Sequence, residues 1–316
     1  MIRDEHISSV GFAEFLRDPQ DGSAFSRIEG HKIYFQSGNS YPLCDGVPIL
    51  IDEERSIFSV ADILNTKPTT QDAKYSSQAT FKGKVRRRML PQLAVGTPSS
   101  VRWAPLKKLI ASGRVLILGT GEKAEQYRAY FCDSEVITSD VHLQFGVDVV
   151  FDAHQIPFKD ETFSLVLAAQ VLEHTARPWE VAAEAQRVTR IGGYIQMEVP
   201  FAFPYHAMPY DFYRFTPSAL RFLFAQSEIV KLGIEGGAWG ATAIATSTAL
   251  VDSFTNRYFR MATLAGSRLC LWWVKYLDRL GRNKPCTMPK GLAVTYRRDG
   301  QERTDREMLE DLLVYY

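Results

Sequence analysis

"VLILGTGEKAEQY", residues 115–127, is a run of four apolar residues followed by Gly119-Thr120-Gly121 and a stretch suited to a helix start. A strand that runs into a glycine loop before a helix is the sequence form of a nucleotide-type cofactor site, because residues without side chains let backbone N–H groups approach a ligand. Gly119-x-Gly121 followed by Ala124 fits G-x-G-x-x-G/A, and Asp140 lies near the distance expected of an acid closing the second strand. Such an acid accepts hydrogen bonds from ribose hydroxyls. Nicotinamide cofactors and S-adenosylmethionine both carry that ribose, so the loop and Asp140 leave both open.

Outward from this loop the pattern is strand, helix, strand. "RVLIL", "EVIT", "VDVVF", "FSLVLA" and "YIQMEV" are apolar throughout or nearly so, as parallel strands covered on both faces must be. Between the last two, "RPWEVAAEAQRVTRIGG" predicts a helix with Pro178 in its first turn and Gly192 as its stop. The expectation is a doubly wound α/β sheet over residues 113–316. Upstream, residues 1–55 have short strand-like segments between turn signals and predict a small β-rich module, and residues 56–112 predict a linker with helices. Downstream, 241–285 predicts a helical insertion. Its stretch 257–280 mixes Trp272, Trp273 and leucines with Arg257, Arg260 and Arg268, which suits peripheral membrane contact or packing on the sheet or on a second copy, a homodimer. "GLAVTYRR" (291–298) then predicts a late strand and the tail a charged helix.

Composition narrows the function classes. The 316 residues carry 37 Lys plus Arg against 36 Asp plus Glu, a net charge of +1, which provides no field for nucleic acid. The one basic run, "KGKVRRR" (82–88), suits a solvated surface. Four scattered cysteines without a C-x-x-C suggest neither a disulfide framework nor a zinc cluster, and a cytoplasmic location is the default. The longest uncharged stretch, 236–251, is short of the ~18–20 residues of a spanning helix.

Residues 147–200 separate the cofactors. Asp152-Ala153, Ile156-Pro157-Phe158, Asp160-Glu161, Phe163-Ser164-Leu165-Val166, Leu172-Glu173-His174 and Arg187-Val188 through Gly192-Gly193 follow one another as they do in the class I S-adenosylmethionine-dependent methyltransferases of the type 11 group, which this stretch resembles. The resemblance implies a Rossmann-like sheet of seven strands and S-adenosylmethionine as cofactor. It places Gly119, Thr120 and Gly121 at the methionine end, Asp140 on the ribose, Asp152 with Ala153 on the adenine, and Gln170 beside them. A carboxylate and an exocyclic amine make a charge-assisted hydrogen bond, so the residue types agree with those roles. Two positions depart: Ile117 stands where the family usually has an acid, and Lys123 where a third glycine is frequent.

After the fifth strand, "PFAFPYHAMPYDFYRFTPSALRFLF" (200–224) resembles the His-x-x-Pro-x-Asp-x-x-Arg-Phe-Thr segment of methyltransferases associated with surface glycans or lipid-linked sugars. That implies a small-molecule acceptor, a sugar or glycan. His206, Asp211 and His174 are the candidate catalytic groups, since an alcohol acceptor needs its proton taken. The other reading has Asp211 pair with Arg214 to fix the loop. Finally, "LRDPQDGSAF" and "YPLCDGVPILID" resemble a Trm112-like zinc ribbon, but Asp18, Asp21 and the region of Gln36 and Asn39 stand where its thiolates would be, so no metal is expected there. A nicotinamide-dependent oxidoreductase and a catalytically inactive scaffold are the competing function classes.

Overall fold

The computed structural model describes residues 10–65, 90–280 and 287–315. The basic run 82–88 and Cys286 lie outside them. Five parallel strands form the centre: β5 (Val115–Leu118), β6 (Val136–Asp140), β7 (Val149–Phe151), β8 (Phe163–Ala169) and β9 (Thr189–Pro200), in the spatial order β7-β6-β5-β8-β9. The order reverses at β5, so the loops after β5 and β8 diverge and leave a crevice at the carboxyl edge.

The apolar strands follow from the two covered faces. Val115, Ile117, Leu165 and Leu167 point to one side, where Trp103, Leu106 and Ile110 of helix α2 (Ser99–Ile110) and Tyr127 of α3 (Ala124–Tyr130) cover them. Leu116, Leu118, Val166 and Ala168 point to the other, against Val181, Ala182, Ala185 and Val188 of α4 (Pro178–Val188). The alternation is that of a pleated strand, with both halves of the period apolar. Helix α4 begins on Pro178 as expected but stops at Val188, short of Gly192. Thr189 turns the chain into β9 and its hydroxyl donates to Ala185 O at 2.7 Å.

Beyond β9 lie two antiparallel strands, β11 (Gly291–Arg298) and then β10 (Ser227–Glu235) on the edge. β10 has no apolar run to betray it. Half-exposed along its length, it is a strand because β11 offers it eight paired positions, from Ser227↔Arg298 to Glu235↔Gly291.

At the opposite edge the sequence-based picture changes. β1 (Phe25–Glu29), β2 (Lys32–Phe35), β3 (Ser40–Cys44) and β4 (Val47–Leu50) form an antiparallel meander, and β4 pairs in parallel with β7 through Ile49↔Val150 and Leu50↔Phe151. The sheet is therefore one sheet of eleven strands in place of a seven-stranded sheet beside a small module. Leu16, Ile33 and Phe35 share a core with Leu116 and Phe158. Asp18 is wholly buried and accepts from Gln20 N, Ser37 Oγ, Asn39 Nδ2 and Tyr41 Oη, so two of the positions compared with ribbon ligands, Asp18 and Asn39, are joined at 2.9 Å.

The predicted linker holds the short α1 (Val60–Leu64) and α2, but α2 is part of the sheet's cover and not a connector. Arg102 and Trp103 from it reach buried Glu198 of β9: Arg102 Nη2 to Oε2 at 2.6 Å and Trp103 Nε1 to Oε1 at 2.8 Å. The expected helical insertion is α6 (Ala238–Asp252) and α7 (Arg257–Leu271), packed together with Ser247 and Ser267 hydroxyls 2.8 Å apart. The outer side of α7 exposes Tyr258, Phe259, Met261 and Leu269. No helix among the described residues is long and apolar enough to cross a membrane. Helix α5 (Pro217–Leu223) and the capped tail helix α8 (Asp305–Leu313) complete the chain.

Candidate active site

A cavity of about 600 Å³ opens at the carboxyl ends of β5, β6, β7 and β8, a size within the usual range for small-molecule sites. Its floor is the glycine loop. Gly119 has φ +62°, and a Cβ there would stand 2.5 Å from Val171 Cγ2, so no other residue fits without displacing the turn after β8. Gly121 has φ +50° and its N–H donates to Asp140 Oδ2 at 2.9 Å. A Cβ at Gly121 would meet nothing within 4 Å. The loop backbone is thereby tied to the acid that closes β6.

Asp140 and Asp152 stand at the ends of adjacent strands and are built alike. Each accepts from the N–H and the Nδ1 of the histidine two residues on: His142 for Asp140, with Nδ1 at 2.9 Å, and His154 for Asp152, with Nδ1 at 2.5 Å. Asp152 also accepts from Ser56 Oγ at 2.6 Å. Burial raises the Asp152 carboxyl, but His154 and Ser56 outweigh it and hold the group below the ordinary range, ionised. A carboxylate has about four acceptor sites, so both acids keep capacity for a ligand.

The other expected cofactor residues separate. Ala153 and Gln170 line the cavity with Asp140 and Asp152, and Gln170 does so from a positive φ of +61°. Thr120 does not: it is buried behind the loop with its amide on Ser139 O. Ile117 is wholly buried among Trp103 and Leu106, so the position that departs from the family pattern does not reach the cavity.

The acceptor end is built by two segments that grip each other. Loop residues 201–216 fold back on the turn Leu172–His174, where Phe212 N donates to Glu173 O at 2.8 Å and His174 Nδ1 to Tyr210 O at 2.5 Å. His206 and His174 consequently meet edge to face, 5.0 Å between ring centres, and both line the cavity. Asp211 does not line it. Its oxygens take Arg214 Nη1 and Nη2 at 2.6 and 2.7 Å and the His206 amide at 2.7 Å, and these bonds hold it below the ordinary carboxylate range despite burial. A depressed, fully engaged carboxylate is a poor base, so of the two readings of Asp211 the geometry matches the pair with Arg214. His206 is lowered by burial, with Asp211 opposing, and is neutral near pH 7.

Several residues of this site carry no signal in an isolated reading. Ile57 and Phe58, from the segment before α1, form a wall, and Phe58 stacks on Tyr210 at 6.4 Å between ring centres. Arg268 of α7 also lines the cavity. Glu173 lies directly behind the histidines, 0 % exposed, with neither carboxylate oxygen hydrogen-bonded, and burial pushes it up to about 8. The repeated Asp-x-His at 140–142 and 152–154 is the one visible hint of the paired acids and their clamps.

Most of the residues that line this crevice belong to the stretch, residues 118–197, that matches a family model described as a methyltransferase domain. A Mycobacterium avium protein described as an uncharacterized methyltransferase is 47% identical over 38 residues, 12% of this chain and 15% of that one. The chain thus spans about 15% of the length of that relative. Among solved structures, a SAM-dependent methyltransferase from Archaeoglobus fulgidus is 18% identical with a TM-score of 0.42, covering 63% of this chain and 92% of its own. A Haemonchus contortus phosphoethanolamine N-methyltransferase, solved with phosphomonomethylethanolamine and S-adenosylhomocysteine, is 12% identical at 0.42, over 75% of this chain and 61% of its own. The matched stretch begins at the end of β5 and runs into β9, and so holds the glycine loop, both acids, Gln170 and His174, while His206, Phe58 and Arg268 come from outside it.

Proposed function

We propose that the protein transfers a methyl group from S-adenosylmethionine to a hydroxyl of a small sugar or glycan acceptor. The observation that carries this reading is one cavity with the glycine loop and Asp140 at one end and the His174–His206 pair at the other. The residues present fit the cofactor: the open space over Gly121, the tied loop, and two acids at successive strand ends. When bound, S-adenosylmethionine supplies an electrophilic methyl carbon on a sulfonium sulfur.

The chain's own residues do the rest. Asp140 accepts the ribose hydroxyls, and Asp152 with the Ala153 backbone holds the adenine. Phe58, Phe203 and Tyr210 shield the acceptor end from water and offer flat faces to a sugar ring. His206 and His174 are the groups placed to meet the acceptor hydroxyl. In-line approach is the main requirement of methyl transfer, so positioning these partners supplies most of the effect.

Isothermal titration with S-adenosylhomocysteine and with NADP tests the reading. Binding of the first alone is expected, and Asp140→Ala should weaken it by about ten- to a hundredfold, the equivalent of one charge-assisted hydrogen bond of ~1.5–3 kcal/mol. Binding of NADP instead would make the protein an oxidoreductase, and binding of neither would make it a scaffold. The acceptor class is tested by transfer of labelled methyl to sugars. A product labile to mild base would be an ester and would exclude a hydroxyl acceptor.

A further inference from the structure

We propose that Glu173, His174 and His206 form a binding site for one divalent transition-metal ion at the acceptor end of the cavity. The ligand atoms of these three side chains all lie within 4.8 Å of one another, close enough to share an ion. Glu173 is 0 % exposed and neither of its oxygens has a hydrogen-bond partner. A buried carboxylate in that state is strongly disfavoured, and protonating it still leaves an O–H without an acceptor. A cation between it and the two imidazoles satisfies the group.

The histidines are prepared for this. His174 Nδ1 donates to Tyr210 O at 2.5 Å, which puts the ring's lone pair on Nε2, 3.9 Å from Glu173 Oε1. His206 Nδ1 lies 3.1 Å from Asp211 Oδ2 and 3.3 Å from Pro204 O, with Arg214 Nη2 also at 3.3 Å. Two acceptors, one of them a carboxylate, against a donor already committed to Asp211 place the proton on Nδ1. The lone pair is then on Nε2 here as well. Imidazoles anchored through Nδ1 on a carbonyl or carboxylate are the usual support of metal-bound histidine. Asp211 is thereby a positioning residue, one step removed from the ion.

Two imidazoles and one carboxylate suit zinc, manganese, cobalt or iron in the divalent state better than calcium or magnesium. Three protein ligands leave coordination positions for an acceptor hydroxyl. The role of the ion toward the acceptor rests on the function proposed above, whereas ion binding itself does not.

The experiment is titration of the chelator-treated full-length chain with Co²⁺, followed by its visible absorption and by calorimetry. One equivalent per chain is expected, with tightness reduced about a hundredfold or more in Glu173→Gln and in His206→Ala, and unchanged in the surface variant His31→Ala. No stoichiometric binding, or equal affinity in all variants, overturns the proposal. If Glu173→Gln does not fold, His206→Ala and His174→Ala carry the test, since both side chains are partly exposed. S-adenosylhomocysteine is titrated in parallel with chelator present. Its binding without any cobalt site rejects the metal and keeps the methyltransferase reading, whereas a cobalt site without cofactor binding does the reverse.

Discussion

Asp211 gives both carboxylate oxygens to Arg214 and a further hydrogen bond to the His206 amide, while its neighbour His206 faces the cavity. Their substitutions should therefore part company. Asp211→Asn removes one arm of a two-point ion pair and leaves Arg214 short of its partner, at a stability cost of about 1–3 kcal/mol. His206→Ala leaves the Asp211–Arg214 pair in place, taking from Asp211 only the single Nδ1 contact, and should lower turnover by about a hundredfold with a smaller change in melting temperature than Asp211→Asn. Thermal melts and labelled-methyl turnover on both variants check this. Unchanged stability in Asp211→Asn would show that the loop does not depend on the pair. Gly119 makes the same point about backbone. With φ +62° and Val171 in the way, Gly119→Ala should weaken S-adenosylhomocysteine binding through a shifted loop, and unaltered affinity would mean that the turn can yield.

Helix α2 is held to the sheet by more than its apolar stripe. Glu198 on β9 is 2 % exposed and receives both Arg102 and the Trp103 indole, so two successive residues of the helix converge on one strand residue. Removing one side of such a buried pair leaves the other charge uncompensated, typically at about 3–5 kcal/mol. Glu198→Ala should reach that range in chemical denaturation, and Arg102→Ala combined with it should add little beyond either alone. Full additivity of the two would show that they act independently. β10 teaches the complementary lesson: an element with a weak pattern of its own exists because a neighbour supplies its hydrogen bonds.

Across the molecule, the N-terminal strands share one sheet and one core with the central parallel strands. Leu16, 0 % exposed, bridges to Phe158, and Lys159 N donates to Phe15 O at 2.9 Å. Leu16→Ala should cost about 2–5 kcal/mol and shift the denaturation midpoint of the whole chain, with tryptophan fluorescence and far-ultraviolet circular dichroism moving together. A separate early transition confined to the N-terminal strands would show that they fold on their own.

Much of the central sheet was legible because its information is local. Strands buried on both faces must be apolar at nearly every position, a proline such as Pro178 suits the first turn of a helix, and a loop at positive φ that hugs its neighbours needs glycine at 119. The Asp152–Gly193 motif was legible for the same reason: its residues are spaced along one strand–turn–helix path. What lay beyond local pattern depends on distant segments arriving together. Ser56 reaches Asp152 only after β4 has joined β7, and Glu173 becomes a buried, unpartnered acid only when the 201–216 loop closes over it and brings His206 to His174. A carboxylate in sequence is an exposed acid by default. Packing alone removes its water, and so packing alone decides that it needs a partner.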